Sequence, residues 1–444
     1  MCIVGGGFTG LWTALQLKKA DASLDVVIVE ADICGGGASG RNGGFVMSLW
    51  SKFGSLRKLY GKDEAIRLAK ASVAAIHEIG RFGEENGIDA DFRYCGWLWT
   101  ATSPAQLDAW RKTLDGIADT SESPYVELSA AEVAQRSGSA THLGGVFEPT
   151  GARIQPAMLA RGLRRVALNL GVRIYEQTAM LRLDLSRPPK VVTAGGNIEA
   201  HTVVLALNAW AARFPEIRRK LVVVSSDIGA TSPIPERLED TGWSDGLCIS
   251  DSRRLVNYYR TTRDGRVVFG KGGGSFAFAG RIDSSFDMAS PREAEIAEHF
   301  HRCYPSLSDV PIVASWRGPI DYSLSGVPFF VRLGGRPDVL LGAGYSGNGV
   351  GPSLLGGRIL ASMAMGAKDE WSAGGLSRLP DSTLPPEPFR FLGGRAVRWA
   401  IARKERIEDS GGRPGPLIQA LAGLDPTGFI DAGKKTAPRK PNPS

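Results

Sequence analysis

The chain has 444 residues, 22% of them charged and 43% hydrophobic, enough for two or three domains with cores of their own. Its net charge of +7 comes from basic residues that are dispersed, apart from short clusters at Arg213–Lys220, Arg395–Arg406 and Lys434–Lys440, so a nucleic-acid-binding stripe is not expected. Five cysteines without a CxxC pair and five scattered histidines argue against a disulfide framework or a metal centre; no apolar run is long enough to span a bilayer, and a cytoplasmic setting with reduced thiols is expected.

The first 44 residues organise the rest. Ile3-Val4 leads into Gly5-Gly6-Gly7-Phe8-Thr9-Gly10, an amphipathic helix follows, and a second apolar run, Val26–Val29, ends in Glu30-Ala31. Strand, glycine turn, helix and acid-terminated strand form the dinucleotide-binding fingerprint in its required context. Gly5 is expected to permit the turn, Gly7 to admit a pyrophosphate, and Gly10 to bring helix and strand together. Phe8 and Thr9 open the helix whose N–H groups and dipole face the phosphates. Glu30, about 20 residues beyond the last glycine, is expected at the ribose, which favours NAD or FAD over NADP. The first strand begins at Met1 itself, which raises a longer natural start as a hypothesis for peptide mass mapping. A second glycine-rich run, Gly36 to Gly44, contains Ser39, Gly40, Arg41, Asn42, Gly43 and Gly44.

Beyond it the apolar spacing of Ile66, Ala69, Val73 and Ile76 predicts a helix over 63–82, with His77 beside its stripe as a surface or packed residue. Phe92–Trp99 alternates as an aromatic strand. Trp97 and Trp99 are read as core or as an apolar wall. Ser129 and Glu132 have the spacing of a capping box. A helix from Pro156 to Leu170, a strand at Val172–Glu176, a hairpin turn at Gly195–Asn197 and a buried strand, Thr202–Leu207, leading to Asn208, resume the first domain. Residues 221–280 read as antiparallel sheet and Pro291–Cys303 as a helix. Leu340–Val350 reads as a strand running into a third glycine loop, with a helix from Pro352 to Met365. Pro385-Pro386 marks a boundary, Arg395–Arg406 a basic helix, and Lys434–Ser444 a disordered tail.

Three glycine loops favour FAD over NAD, because a long buried flavin dinucleotide requires the chain to return to it several times. Four segments together resemble the D-amino-acid-oxidase-like family of FAD-dependent amine oxidases, which includes glycine oxidase, sarcosine oxidase and gamma-glutamylputrescine oxidase. They are Ile3–Gly10 with Glu30, Gly37–Gly44, Trp316–Asp321 with Gly326–Phe329, and Gly344–Val350. The Ala38–Gly44 run is most similar to the gamma-glutamylputrescine oxidase subgroup. The resemblance implies an α/β and α+β fold: a discontinuous Rossmann-like FAD-binding domain (1–48, 150–220 and 316–370) with an inserted antiparallel substrate domain (49–149 and 221–315). A C-terminal helical extension (371–433) and the tail (434–444) follow.

The resemblance also implies roles. Gly5, Gly7, Phe8, Thr9 and Gly10 would hold the FAD pyrophosphate, and Glu30 with Ala31 the adenosine ribose. Ser39 to Gly44 would run toward the isoalloxazine. Met180 would face adenine, and Asn208 joins the cofactor set. Gly344, Tyr345, Ser346, Gly347, Asn348, Gly349 and Val350 would set a helix N-terminus against the electron-rich end of the flavin. Tyr258 and Arg260 alternate onto one strand face, Tyr258 closing the cavity and Arg260 clamping an anionic substrate group. Lys271 is placed near flavin N5, and Tyr345 and Asn348 toward substrate.

The implied reaction is oxidation of a C–N bond in an amine, an amino acid or a related anionic amine such as an aminophosphonate. The imine hydrolyses, and O2 or another acceptor takes the electrons. Phe45 and Gln155 depart from the subgroup, in which a polar residue and a histidine are usual at those positions, and this leaves the amine open. No cysteine occupies a flavin-flanking motif, so FAD is expected to be dissociable. The competing readings are an NAD-dependent dehydrogenase and a flavoprotein that binds or modifies tRNA.

Overall fold

The computed structural model describes residues 1–424; the tail expectation for 434–444 lies outside them. Two sheets face each other. The first has six short strands in the order Phe329–Arg332, Val339–Ala343, Val203–Leu205, Cys2–Val4, Val27–Val29, Arg173–Tyr175. All neighbours are parallel except the hairpin joining Phe329–Arg332 to Val339–Ala343. Val27–Val29, Cys2–Val4 and Val203–Leu205 are buried on both faces, which is why they read as unbroken apolar runs and do not alternate. On one face lie the helices Phe8–Ala20, Pro156–Asn169 and Val350–Ala364. On the other, Val191 and Ile198 of a three-stranded antiparallel sheet pack against Val4, Val29 and Leu205.

The second sheet has eight strands in the order Ile312–Ser323, Leu221–Thr231, Val267–Lys271, Asn257–Thr261, Cys248–Asp251, Trp97–Thr100, Gly145–Glu148, Val126–Leu128. It is antiparallel except where Cys248–Asp251 pairs in parallel with Trp97–Thr100. Its outer face is packed by the helix Glu293–Cys303, whose Ile296 and Phe300 meet Tyr259, Phe269 and Ile249. The strand period of two sends Tyr259 into this core, where its ring stacks on Phe269 at 4.8 Å. The same period sends the neighbouring Tyr258 to the inner face.

Three expectations about organisation differ from the structure. The helix Lys62–Glu85 buries Leu68, Ala69 and Ile76 in the core shared with the helices Phe8–Ala20 and Val350–Ala364, so it belongs with the first sheet and not with the inserted half. The boundary placed at 316 falls inside the strand Ile312–Ser323, which pairs with Leu221–Thr231 along most of its length. The hairpin centred on Gly195–Asn197 turns one residue earlier, with Thr193 opposite Gly196. The capping box is present: Ser129 N–H donates to Glu132 Oε2 at 2.8 Å, and Glu132 N–H to Ser129 Oγ at 3.4 Å.

Candidate active site

All three glycine loops open on one cavity of about 2040 Å³ between the two sheets. A drug-sized ligand needs roughly 300–1,000 Å³, so there is room for a long cofactor and a second molecule.

The first loop is fixed by close backbone approach. Gly5 has φ +108°, and a Cβ there would lie 2.4 Å from the Ala206 carbonyl oxygen; a Cβ on Gly10 would lie 1.9 Å from Gly5 O. Gly5 and Gly10 therefore tolerate no side chain. Ser39 Oγ accepts from Phe8 N–H at 2.9 Å, joining the second loop to the start of the first helix. Glu30 accepts from Gly6 N–H at 2.6 Å and from Asp32 N–H at 2.9 Å. Burial raises its carboxyl above the ordinary value, and these two N–H groups oppose the rise. Gly5, Gly7, Phe8, Thr9, Glu30, Ala31, Met180 and Asn208 all line the cavity.

The second loop is held by its own side chains. Asn42 Nδ2 donates to the Ala38 and Ser39 carbonyls at 3.1 and 2.8 Å, and its Oδ1 accepts from Gly44 N–H at 2.8 Å. Arg41 pairs with Asp287, and its carbonyl accepts from Trp316 Nε1 at 2.8 Å. Ser39, Arg41, Asn42 and Gly43 reach the cavity, whereas Gly40 and Gly44 lie behind it.

Arg260 and Lys271 correct two expectations. The Arg260 side chain does not line the cavity. It is 4% exposed and donates to three backbone carbonyls: Gly43 at 2.6 Å, Thr261 at 3.0 Å and Ile154 at 3.0 Å. It is a brace beneath the second loop, with no donor directed at a substrate. Lys271 is 2% exposed and likewise lies outside the lining, its Nζ donating to Leu255 O at 2.7 Å. Tyr258 does face the cavity. Its ring fits against two glycines, since a Cβ on Gly270 would lie 2.1 Å from it and one on Gly43 2.9 Å. Its hydroxyl is 2.7 Å from Ser226 Oγ, and Phe45 meets it edge to face at 5.9 Å. Trp97 and Trp99 also line this region, stacked at 5.7 Å.

The third loop leads into the helix Val350–Ala364, and Tyr345 to Val350 line the cavity. Tyr345 Oη accepts from Thr9 Oγ1 at 2.7 Å, and Asn348 Nδ2 donates to Ser48 O at 2.9 Å. Both polar ends are thus engaged by the protein. The organiser of this loop, given no role by the sequence, is Asp321. Its buried carboxylate accepts from Gly344 N–H, its carbonyl accepts from Ser346 N–H at 3.0 Å, and its own N–H donates to Asn208 Oδ1 at 3.2 Å. Burial pushes the Asp321 carboxyl up to about 6, against the backbone N–H groups that favour its charge. The motif around Trp316 marked this segment, but only strand pairing brings Asp321 to Gly344. Gln155, one of the two departures, caps the helix Pro156–Asn169 by accepting from Met158 N–H at 2.8 Å.

The glycine cradle, the acid at the end of the second strand and the length of the cavity fit an FAD molecule. No cysteine or histidine of the described residues lines the cavity, and among those residues no helix is long and apolar enough to cross a membrane.

Comparison with known proteins gives the same answer. Gamma-glutamylputrescine oxidoreductase of Escherichia coli K12 is 30% identical over 401 residues, 90% of this chain and 89% of that protein. Glycine oxidase of Geobacillus kaustophilus is 24% identical over 376 residues, 82% of this chain and 92% of that protein. The crystal structure of glycine oxidase from the same species superposes with a TM-score of 0.72 at 21% identity, covering 86% of this chain and 98% of that one. Residues 1–363 match the family described as FAD dependent oxidoreductase, and the chain is a member of that family.

Proposed function

We propose that this enzyme oxidises a C–N bond of a primary or secondary amine or an amino acid, with the electrons passing through FAD to O2 or another acceptor. The observation that carries this reading is that the cavity continues past the glycine loops into an aromatic corner of Phe45, Trp97, Trp99 and Tyr258, beside Gly43. Gamma-glutamylputrescine oxidoreductase and glycine oxidase, named for amine and amino-acid substrates, support it.

Bound FAD supplies the hydride acceptor. The chain supplies position, a dry site and electrostatics. Gly5, Gly7, Phe8 and Thr9 would hold the pyrophosphate, with Gly10 behind them bringing helix and strand together, Glu30 and Ala31 would hold the adenosine ribose, and Met180 the adenine. Ser39, Arg41, Asn42 and Gly43 would run along the cofactor toward its reactive end. Gly349 and Val350 would direct a helix N-terminus at the place where negative charge develops on reduction. The aromatic corner keeps water from the C–H being broken, and desolvation there favours the neutral amine over the ammonium. Tyr258, fixed by Ser226 and two glycines, is a rigid wall of this corner and not a mobile acid.

The test is anaerobic mixing of the FAD-loaded enzyme with amino acids, polyamines and aminophosphonates while following the flavin absorbance. Bleaching by one of these classes is expected. A flavin that none of them bleaches refutes the amine-oxidation reading.

A further inference from the structure

The family match ends at residue 363, yet the cavity has a wall beyond it. The helix Phe389–Asp409 lines the cavity through Phe389, Arg390, Gly393, Val397, Arg398 and Ile401. These positions recur at helical spacing, so one face of the helix is turned to the cavity. Two adjacent glycines lie within this helix, at a cost to its stability, and the structure gives a reason for the second. A Cβ on Gly394 would lie 3.0 Å from the Phe276 ring, and one on Gly393 would enter open space. The helix is thus thinned where it borders the cavity.

On that face Arg398 stands out electrostatically. Its Nε donates to the Gly273 carbonyl, which orients the guanidinium, and among the described residues it forms no ion pair. The two carboxylates nearest in influence, Glu295 and Asp227, are engaged elsewhere. Glu295 accepts from Arg292 at 2.8 and 3.0 Å, and Asp227 is paired with Arg317 at 3.1 Å and Arg292 at 3.3 Å. Arg390, on the same helix, is bonded to Glu387. A half-buried guanidinium facing a cavity without a carboxylate partner is a receptor for an anion.

The position of Arg398 relative to the reacting corner gives the shape of that anion's carrier. The ring of Tyr258 rests on Gly270, and the carbonyl held by Arg398 belongs to Gly273, three residues further along. Three residues span at most about 10 Å. We propose that Arg398 is a specificity-determining residue of a distal subsite, binding a carboxylate carried by the substrate at the end remote from the oxidised amine. The substrate class is then an ω-amino carboxylate, or a longer amine ending in a carboxylate. This rests on the amine-oxidation reading and moves the anion-binding role from Arg260 to a helix beyond the family match.

The test uses the FAD-loaded full chain with Arg398→Gln, Arg398→Lys and, as a control on the same helix, Arg395→Gln, whose exposed side chain lies over Phe391 and outside the cavity lining. Binding of the unreactive dicarboxylate hexanedioate is followed by flavin absorbance and calorimetry. Anaerobic flavin reduction is followed with 6-aminohexanoate and with hexylamine, which lacks the carboxylate. Arg398→Gln should weaken hexanedioate and 6-aminohexanoate about tenfold or more. It should leave hexylamine within about twofold and the limiting reduction rate unchanged, with Arg398→Lys intermediate and Arg395→Gln like the parent. Failure of the parent to bind hexanedioate, or equal weakening of both amines by Arg398→Gln, overturns the proposal. Arg398-dependent binding of hexanedioate in an enzyme that no amine reduces would keep the subsite and refute the amine-oxidation reading instead.

Discussion

Arg260 donates its Nε to the carbonyl of Gly43 across 2.6 Å, joining the eight-stranded sheet to the second glycine loop. Because its Nη atoms also end on backbone carbonyls, removing the side chain takes a donor from three buried acceptors, although Thr261 O keeps Arg153 Nη1 at 3.2 Å. Arg260→Ala should therefore destabilise the protein by about 3 kcal/mol and weaken FAD binding about tenfold, read by denaturant unfolding and by FAD titration of the apoprotein. An Arg260→Ala enzyme that keeps its FAD and loses only anionic amines would show the arginine to be a substrate clamp after all.

Thr9 and Tyr345 join the first and third loops through one hydrogen bond of 2.7 Å. Thr9→Val and Tyr345→Phe each remove it while nearly preserving shape. Their double-mutant cycle should show a coupling of about 1 kcal/mol, measured by chemical denaturation of the holoenzyme. Strict additivity would mean that the bond contributes nothing in solution.

Asp321 gives a pH signature of defined sign. In the folded protein its carboxyl holds a proton up to about pH 6, against 3.8 for the ordinary value. Between those values the folded state binds more protons than the unfolded state. The Asp321 contribution to stability is therefore full below pH 3.8 and is lost as the pH rises through 6. Asp321→Asn retains a carbonyl acceptor for Gly344 N–H and does not titrate. Its melting temperature relative to the parent should accordingly rise from pH 4 to pH 7. A difference that stays flat over this range would place the Asp321 titration elsewhere.

The five cysteines are free, and none lines the cavity. Acid precipitation of the holoenzyme should leave the flavin in the supernatant, with a colourless pellet. A yellow pellet that survives washing in denaturant would demonstrate a covalent link.

What the sequence made legible follows the range of its signals. Gly5, Gly10 and Glu30 sit within one βαβ unit, where spacing along the chain fixes spacing in space, and the turn at Gly5 and the close approach at Gly10 are the expected ones. Arg260 was legible as a cavity-side residue of its strand but not as a brace. Period-two alternation gives the face of a sheet and is silent about the loop, here Gly43 and Gly44, that covers that face. Asp321 and Arg398 act across 23 and 125 residues of chain, on Gly344 and Gly273. No local pattern carries a contact of that range. The helix Lys62–Glu85 was misassigned for a related reason: an amphipathic stripe predicts burial without specifying the core that receives it.

The strand Ile312–Ser323 has a consequence for traffic through the enzyme. It pairs with Leu221–Thr231 of the eight-stranded sheet from end to end, and within that paired stretch Asp321 also grips the loop that follows a strand of the six-stranded sheet. The two lobes are thus riveted together beside the third glycine loop, and a clamshell opening would tear that rivet. Substrate entry and product release are then expected without separation of the two lobes.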